Sequence, residues 1–126
     1  MNLLTKEEVK ELNIHQISYI DAKDIKYYQW VRDFCEENKC GHFNKNWACP
    51  PAVGSVDECR DKLSKYKNAL IFTGKYKLRR EVDYRSMVKA YEEFRELTEK
   101  LDENLSTKLK DYKVFSIGNC KRCEEC

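Results

Sequence analysis

The chain has 126 residues, 24 of them Lys or Arg and 22 Asp or Glu, for a net charge of +2 at neutral pH. That near-balance gives no electrostatic case for a nucleic-acid partner or a membrane surface, and no apolar run approaches the length of a membrane span. The mean hydropathy of -0.81 comes from a charged fraction of 37%, while 41% hydrophobic residues suffice for the core of a single domain over residues 1–126. The opening MNLLTKEEVKEL is amphipathic and charged, without the apolar stretch of a secretory signal. The expected location is cytoplasmic.

Residues 5–12 read as a short helix. Thr5 and Glu8 have capping-box spacing, and Leu4 and Val9 are placed as a hydrophobic staple. A weak alternation over residues 14–20 predicts a strand. Residues 21–38 carry Ile25, Tyr28, Val31 (or Trp30) and Phe34 at helical spacing, which predicts a helix with Cys35 in its last turn and Cys40 just beyond. The following loop closes on Trp47-Ala48-Cys49-Pro50-Pro51, where proline biases the residue before it towards an extended Cys49. Ser55 and Glu58 form a second capping box, opening a helix to about Tyr66.

NALIFTGKY, residues 68–76, is the clearest strand pattern. From Tyr84 to about Lys110, the residues Tyr84, Met87, Val88, Tyr91, Phe94, Leu97, Leu101, Leu105 and Leu109 make one apolar stripe along a long helix. Residues 112–117 read as a last short strand. Strand, helix, strand predicts a parallel pair with a right-handed crossover. The expected fold class is α/β: a small mixed or parallel sheet flanked by helices, one of them long and amphipathic, with cysteine-rich loops. The terminal cysteines would then leave the carboxyl end of a strand, where such folds build sites.

Seven cysteines are many for a chain in a reducing compartment, where clustered thiols point to metal or redox chemistry rather than a disulfide framework. Their odd number also argues against complete pairing. Cys120-x2-Cys123-x2-Cys126 matches the first three ligands of the bacterial ferredoxin run. Such tight spacing lets successive thiolates wrap one face of a cubane, whereas tetrahedral zinc usually takes paired C-x2-C knuckles. The fourth cysteine and proline of that run do not follow Cys126, so the expectation is a shortened chain or a fourth ligand from elsewhere.

Cys35-x4-Cys40-x8-Cys49 is a less standard spacing, but its Cys-Pro-Pro ending is similar to the step that closes ferredoxin motifs. Cys59 falls early in a capped helix, where the dipole favours a thiolate. It is either a fourth ligand or a half-buried structural cysteine. His42 reads as a solvated loop residue and His15 as strand surface. Trp30, Phe43 and Trp47 form either a dry wall around a cluster or ordinary core, the reading favoured for Trp30. KYKLRR, residues 75–80, is the only local basic patch; it reads as a solvated turn, with docking of an acidic redox partner as the alternative. No Gly-rich phosphate loop, GxSxG or HExxH motif is present.

At CGHFNKNWACPP followed by SVDECRDKLSKYKNALIF, and again at SIGNCKRCEEC, the chain resembles a family of small uncharacterised prokaryotic proteins described as predicted metal-binding proteins. The resemblance runs from about Val31 to Cys126. It implies iron–sulfur or other metal binding through Cys35, Cys40, Cys49, Cys120, Cys123 and Cys126, and it implies no reaction, substrate or partner. Family members continue with a further cysteine followed shortly by proline.

The leading expectation is one or two [4Fe–4S] clusters that exchange electrons with a redox partner protein. One alternative is an iron–sulfur enzyme whose open iron handles sulfur or a small substrate. Another is a zinc-stabilised module that recruits protein or RNA.

Overall fold

The structure is a computed structural model, and it describes residues 2–125. Thr5 accepts a hydrogen bond from Glu8 N at 3.1 Å, and the Glu8 carboxylate accepts from Thr5 N at 2.8 Å. This reciprocal pair starts α1 (Lys6–Glu11) as its spacing predicts. Strand β1 (Gln16–Asp21) follows, then a 3-10 turn (Ala22–Asp24), α2 (Gln29–Glu36), α3 (Val56–Leu63), β2 (Asn68–Thr73) and α4 (Tyr84–Ser106). The protein is a small mixed α/β molecule with a long helix near its C-terminus.

Three expectations need correction. The sheet is neither parallel nor mixed: among the described residues it has two strands, β1 and β2, running antiparallel. His15 N donates to Thr73 O at one end of the pair and Ala22 N to Lys67 O at the other. The second correction concerns residues 112–117, which are extended but join no ladder. They attach through side chains instead. Tyr112 Oη donates to Asp102 Oδ1 at 2.9 Å, Ser116 Oγ lies 3.4 Å from Thr98 Oγ1, and Val114 packs on the core. Without that strand there is no crossover unit.

Third, the helix expected over residues 21–38 is broken. Asp21 could cap it, yet its carboxylate pairs with Lys23 at 3.2 Å and makes no capping bond. The backbone is extended at Ile25 and Tyr28, and α2 begins only at Gln29. Ile25 and Tyr28 had the right spacing for an apolar face, but both are exposed.

The chain groups into two compact units: Met1–Tyr19 with Leu70–Ser116, and Ile20–Ala69 with Ile117–Cys126. In the first, Leu97, Leu101 and Leu105 of α4 are buried with Leu4 and Ile14, and Leu101 is only 1% exposed. The stripe that predicts α4 is therefore buried over its C-terminal half, while Tyr84, Met87 and Val88 are exposed. Phe72 stacks on Phe94 with centroids 5.6 Å apart. Beside them β2 ends before Gly74, where a Cβ would come within 2.6 Å of the Phe94 ring and 2.7 Å of Tyr76. Only glycine permits that approach.

In the second unit, Pro50 is the one buried residue among those described. Among the described residues, no helix is long and apolar enough to cross a membrane.

Glu8 is the electrostatic anchor of the first unit. Its Oε1 accepts from Asn104 Nδ2 at 3.0 Å and from Lys108 Nζ at 2.6 Å, and Lys108 Nζ also donates to Leu3 O at 3.0 Å. Donation by Asn104, then by Lys108 and Thr5 N, lowers the Glu8 pKa from 4.5 to about 2. A depressed carboxylate stabilises the fold above its unfolded pKa and loses that contribution as pH falls through the folded one. The unfolding temperature should therefore drop between pH 4.5 and about 2, and the Glu8→Gln variant should show a shallower drop over that window. Identical pH profiles by circular dichroism would remove Glu8 from this role.

Candidate metal centre

All six described cysteines lie in the second unit, and none of them is in a disulfide. Cys35 occupies the last turn of α2, as expected, and is half-buried. The helix then yields to a loop turned by residues that accept positive φ: Asn38 at 53°, Gly41 at 78° and Asn44 at 56°. Asn reaches this region more readily than most side chains. At Gly41 a Cβ would meet nothing within 4 Å, so the backbone angle and not space calls for glycine. Asn38 Oδ1 accepts from Phe43 N at 3.1 Å, and Asn44 N donates to Pro50 O at 2.7 Å. These bonds fold the Cys40–Cys49 stretch back on itself.

Cys40 is exposed, and Cys49 is half-buried at a bend. Cys49 O accepts from Val53 N at 3.2 Å, and Pro51 O from Gly54 N at 3.0 Å, which leads the chain into the capping box of α3. There Ser55 Oγ accepts from Glu58 N at 3.1 Å and Glu58 Oε2 from Ser55 N at 2.7 Å. Donation from Ser55 N, then from the Ser55 hydroxyl, holds the Glu58 carboxyl below its usual range.

Cys59 is half-buried near the start of α3. Its thiol points at two carbonyl oxygens, Val53 O at 3.5 Å and Gly54 O at 4.0 Å. Arg32 on α2 completes the group: Nη1 donates to Gly54 O, and Nη2 lies 3.9 Å from Cys59 Sγ. Arg32 therefore ties the helix carrying Cys35 to the turn after Cys49 and to Cys59. Nothing in its spacing singled it out beforehand, because an arginine on a helix is ordinarily a solvated residue.

The terminal run is open. Cys120 and Cys123 are exposed, and Cys126 lies outside the described residues. Among the described residues, no three His, Cys, Asp or Glu side chains converge to hold a metal ion. The described cysteines of the two sets thus share a unit without forming an assembled cage.

His42 is half-buried and His15 exposed. The core reading of Trp30 does not hold: the ring is 58% exposed, with Tyr28 at a centroid distance of 5.8 Å and Phe34 at 6.0 Å. Trp47 is 75% exposed and Phe43 half-buried.

In kind, the donors suit a thiophilic metal, since thiolates select iron–sulfur clusters and zinc. One further atom bears on the fit. Asn46 Oδ1 accepts from Ala48 N at 3.0 Å, which fixes the orientation of the amide, and Asn46 Nδ2 is then buried with no hydrogen-bond partner. An unmatched buried donor costs roughly 1–3 kcal/mol, and an anionic sulfur in the same loop would satisfy it. Residue spacing carries no sign of this, because a loop asparagine reads as solvated.

Arg32→Ala should cost about 1 kcal/mol through the lost bond to Gly54 O, lowering the unfolding temperature by roughly 3–5 °C. Amide exchange at Val53 and Cys59 should accelerate with it. Unchanged exchange at both amides would show that Arg32 does not hold the turn.

A family model described as "Predicted metal-binding protein (DUF2284)" matches residues 18–126. No curated protein and no solved structure matches the chain.

Proposed function

The chain belongs to this family of predicted metal-binding proteins, and we propose that it carries a [4Fe–4S] cluster and serves in electron transfer with a redox partner in the cytoplasm. The observation that carries the reading is the placement of all six described cysteines in the unit where Pro50 is the only buried residue described. A unit with so little apolar burial gains fold stability from metal–thiolate bonds, as small metal-dependent domains do.

Cys35, Cys40 and Cys49 would supply one ligand set, and Cys120, Cys123 and Cys126 the other. A bound cluster would supply one-electron chemistry at a potential set by charge, hydrogen bonding and solvent exposure. The chain's own part is to orient the thiolates from α2 and the turned loop, and to offer the Asn46 amide N–H to a sulfur. The exposure of Cys120 and Cys123 suits a site that must lie near its partner. Cys59 takes a structural role in this reading, because its thiol already faces the Val53 and Gly54 carbonyls.

A zinc-stabilised module is the second reading, favoured by the same scarcity of burial, which any structural metal would offset.

Iron and acid-labile sulfide analysis of protein made and kept without oxygen decides between them. About four irons per chain with equal sulfide, or about eight for two clusters, and a visible band bleached by dithionite are expected. Cys49→Ala should lower the metal content and Cys59→Ala should leave it unchanged. On metal removal, amide protection should collapse in residues 20–69 and persist at Leu97–Leu105. Stoichiometric zinc without sulfide would sink the electron-transfer reading.

A further inference from the structure

Within the second unit, a cleft of about 530 Å³ opens between the 3-10 turn Ala22–Asp24, the extended residues after it and the last turns of α3. That volume falls in the range of small-ligand sites, roughly 300–1,000 Å³. The described cysteines do not line it, so it stands apart from the metal reading.

The charge on its walls has one sign. Lys23, Lys26 and Arg60 line it, and no Asp or Glu does. Lys23 pairs with Asp21 at 3.2 Å and Arg60 with Asp57 at 2.8 Å, both acids lying outside the lining. Lys26 makes no ion pair among the described residues. Among the three cations that line the cleft, Lys26 is thus the one without an acid partner among the described residues.

The remaining wall is aromatic. Tyr27, Tyr28 and Tyr66 all line the cleft, and the Arg60 guanidinium sits 5.5 Å from the centre of the Tyr27 ring. A cation held over a ring face is fixed in orientation, and tyrosine rings offer flat apolar surface with a polar tip. Aromatic walls beside an acid-free lining of cations suit a ring molecule that carries an anionic group.

We infer that this cleft binds a small planar-ring anion, a ring bearing a carboxylate or a phosphate monoester, with Lys26 as the principal anion contact and the tyrosines as the stacking surface. Arg60 adds a second charged donor from α3, already oriented by Asp57 and Tyr27.

The test is titration of the full chain with AMP and with nicotinate, read by amide chemical shifts, with adenosine and inorganic phosphate as controls. Saturable shifts at residues 22–28 and 60–66 are expected with at least one of the two ring anions. AMP alone would assign the phosphate monoester, and nicotinate alone the carboxylate. Lys26→Glu should weaken binding about tenfold or more. Lys26 and Arg60 are both exposed, so charge reversal leaves the fold intact, and Arg60→Glu supplies the second variant. The inference is overturned if neither ring anion shifts these amides, if adenosine binds as tightly as AMP, or if both charge-reversal variants bind as well as the parent.

Discussion

Uneven burial is the constraint on which the rest of this structure depends. Leu4, Ile14, Leu97, Leu101 and Leu105 close a core in the unit built around α4, while the cysteine-bearing unit has Pro50 alone as a described buried residue. Hydrophobic burial is the dominant favourable term in folding. Where it is scarce, some other interaction must offset the entropy of ordering the chain. Backbone turns and caps do part of this: the Ser55–Glu58 capping box, the positive-φ residues Asn38, Gly41, Asn44, Gly54 and Gly118, and the Arg32 tie. Local bonds of that kind contribute about 1 kcal/mol each, which leaves room for metal–thiolate bonds to matter.

How much was legible in advance differs between the units for physical reasons. The helices with side-chain caps were readable, because Thr5-x2-Glu8 and Ser55-x2-Glu58 are local codes that need nothing distant to form. The body of α4 was readable because its stripe repeats over many turns, although periodicity could not say which half would be covered. The segment 112–117 was misread since an extended backbone and a strand share one local pattern. Pairing with a ladder makes the difference, and Tyr112 and Ser116 instead find Asp102 and Thr98. The break at residues 25–28 was hidden because Ile25 and Tyr28 keep helical spacing in the sequence although their backbone is extended.

For the candidate site, spacing placed Cys35 at the end of α2, where the structure has it. It could not give Arg32 or Asn46. Their importance rests on where a guanidinium and an amide point in three dimensions, towards Gly54 O in one case and into an unmatched buried position in the other. Metal sites hide their supporting residues in this way, since the outer hydrogen bonds that orient ligands carry no spacing rule.

The first unit is discontinuous in the chain, joining Met1–Tyr19 to Leu70–Ser116, and its Glu8 anchor reaches its partners only at Asn104 and Lys108. Chains emerge from the ribosome N-terminus first, so α1 is made long before the residues that seat it exist. During that interval Cys35, Cys40, Cys49 and Cys59 are already synthesised, while Cys120 and Cys123 are not. Assembly is thereby ordered in time. The earlier thiols are made before the apolar core can close, and the terminal ones arrive after its last buried leucine has been made.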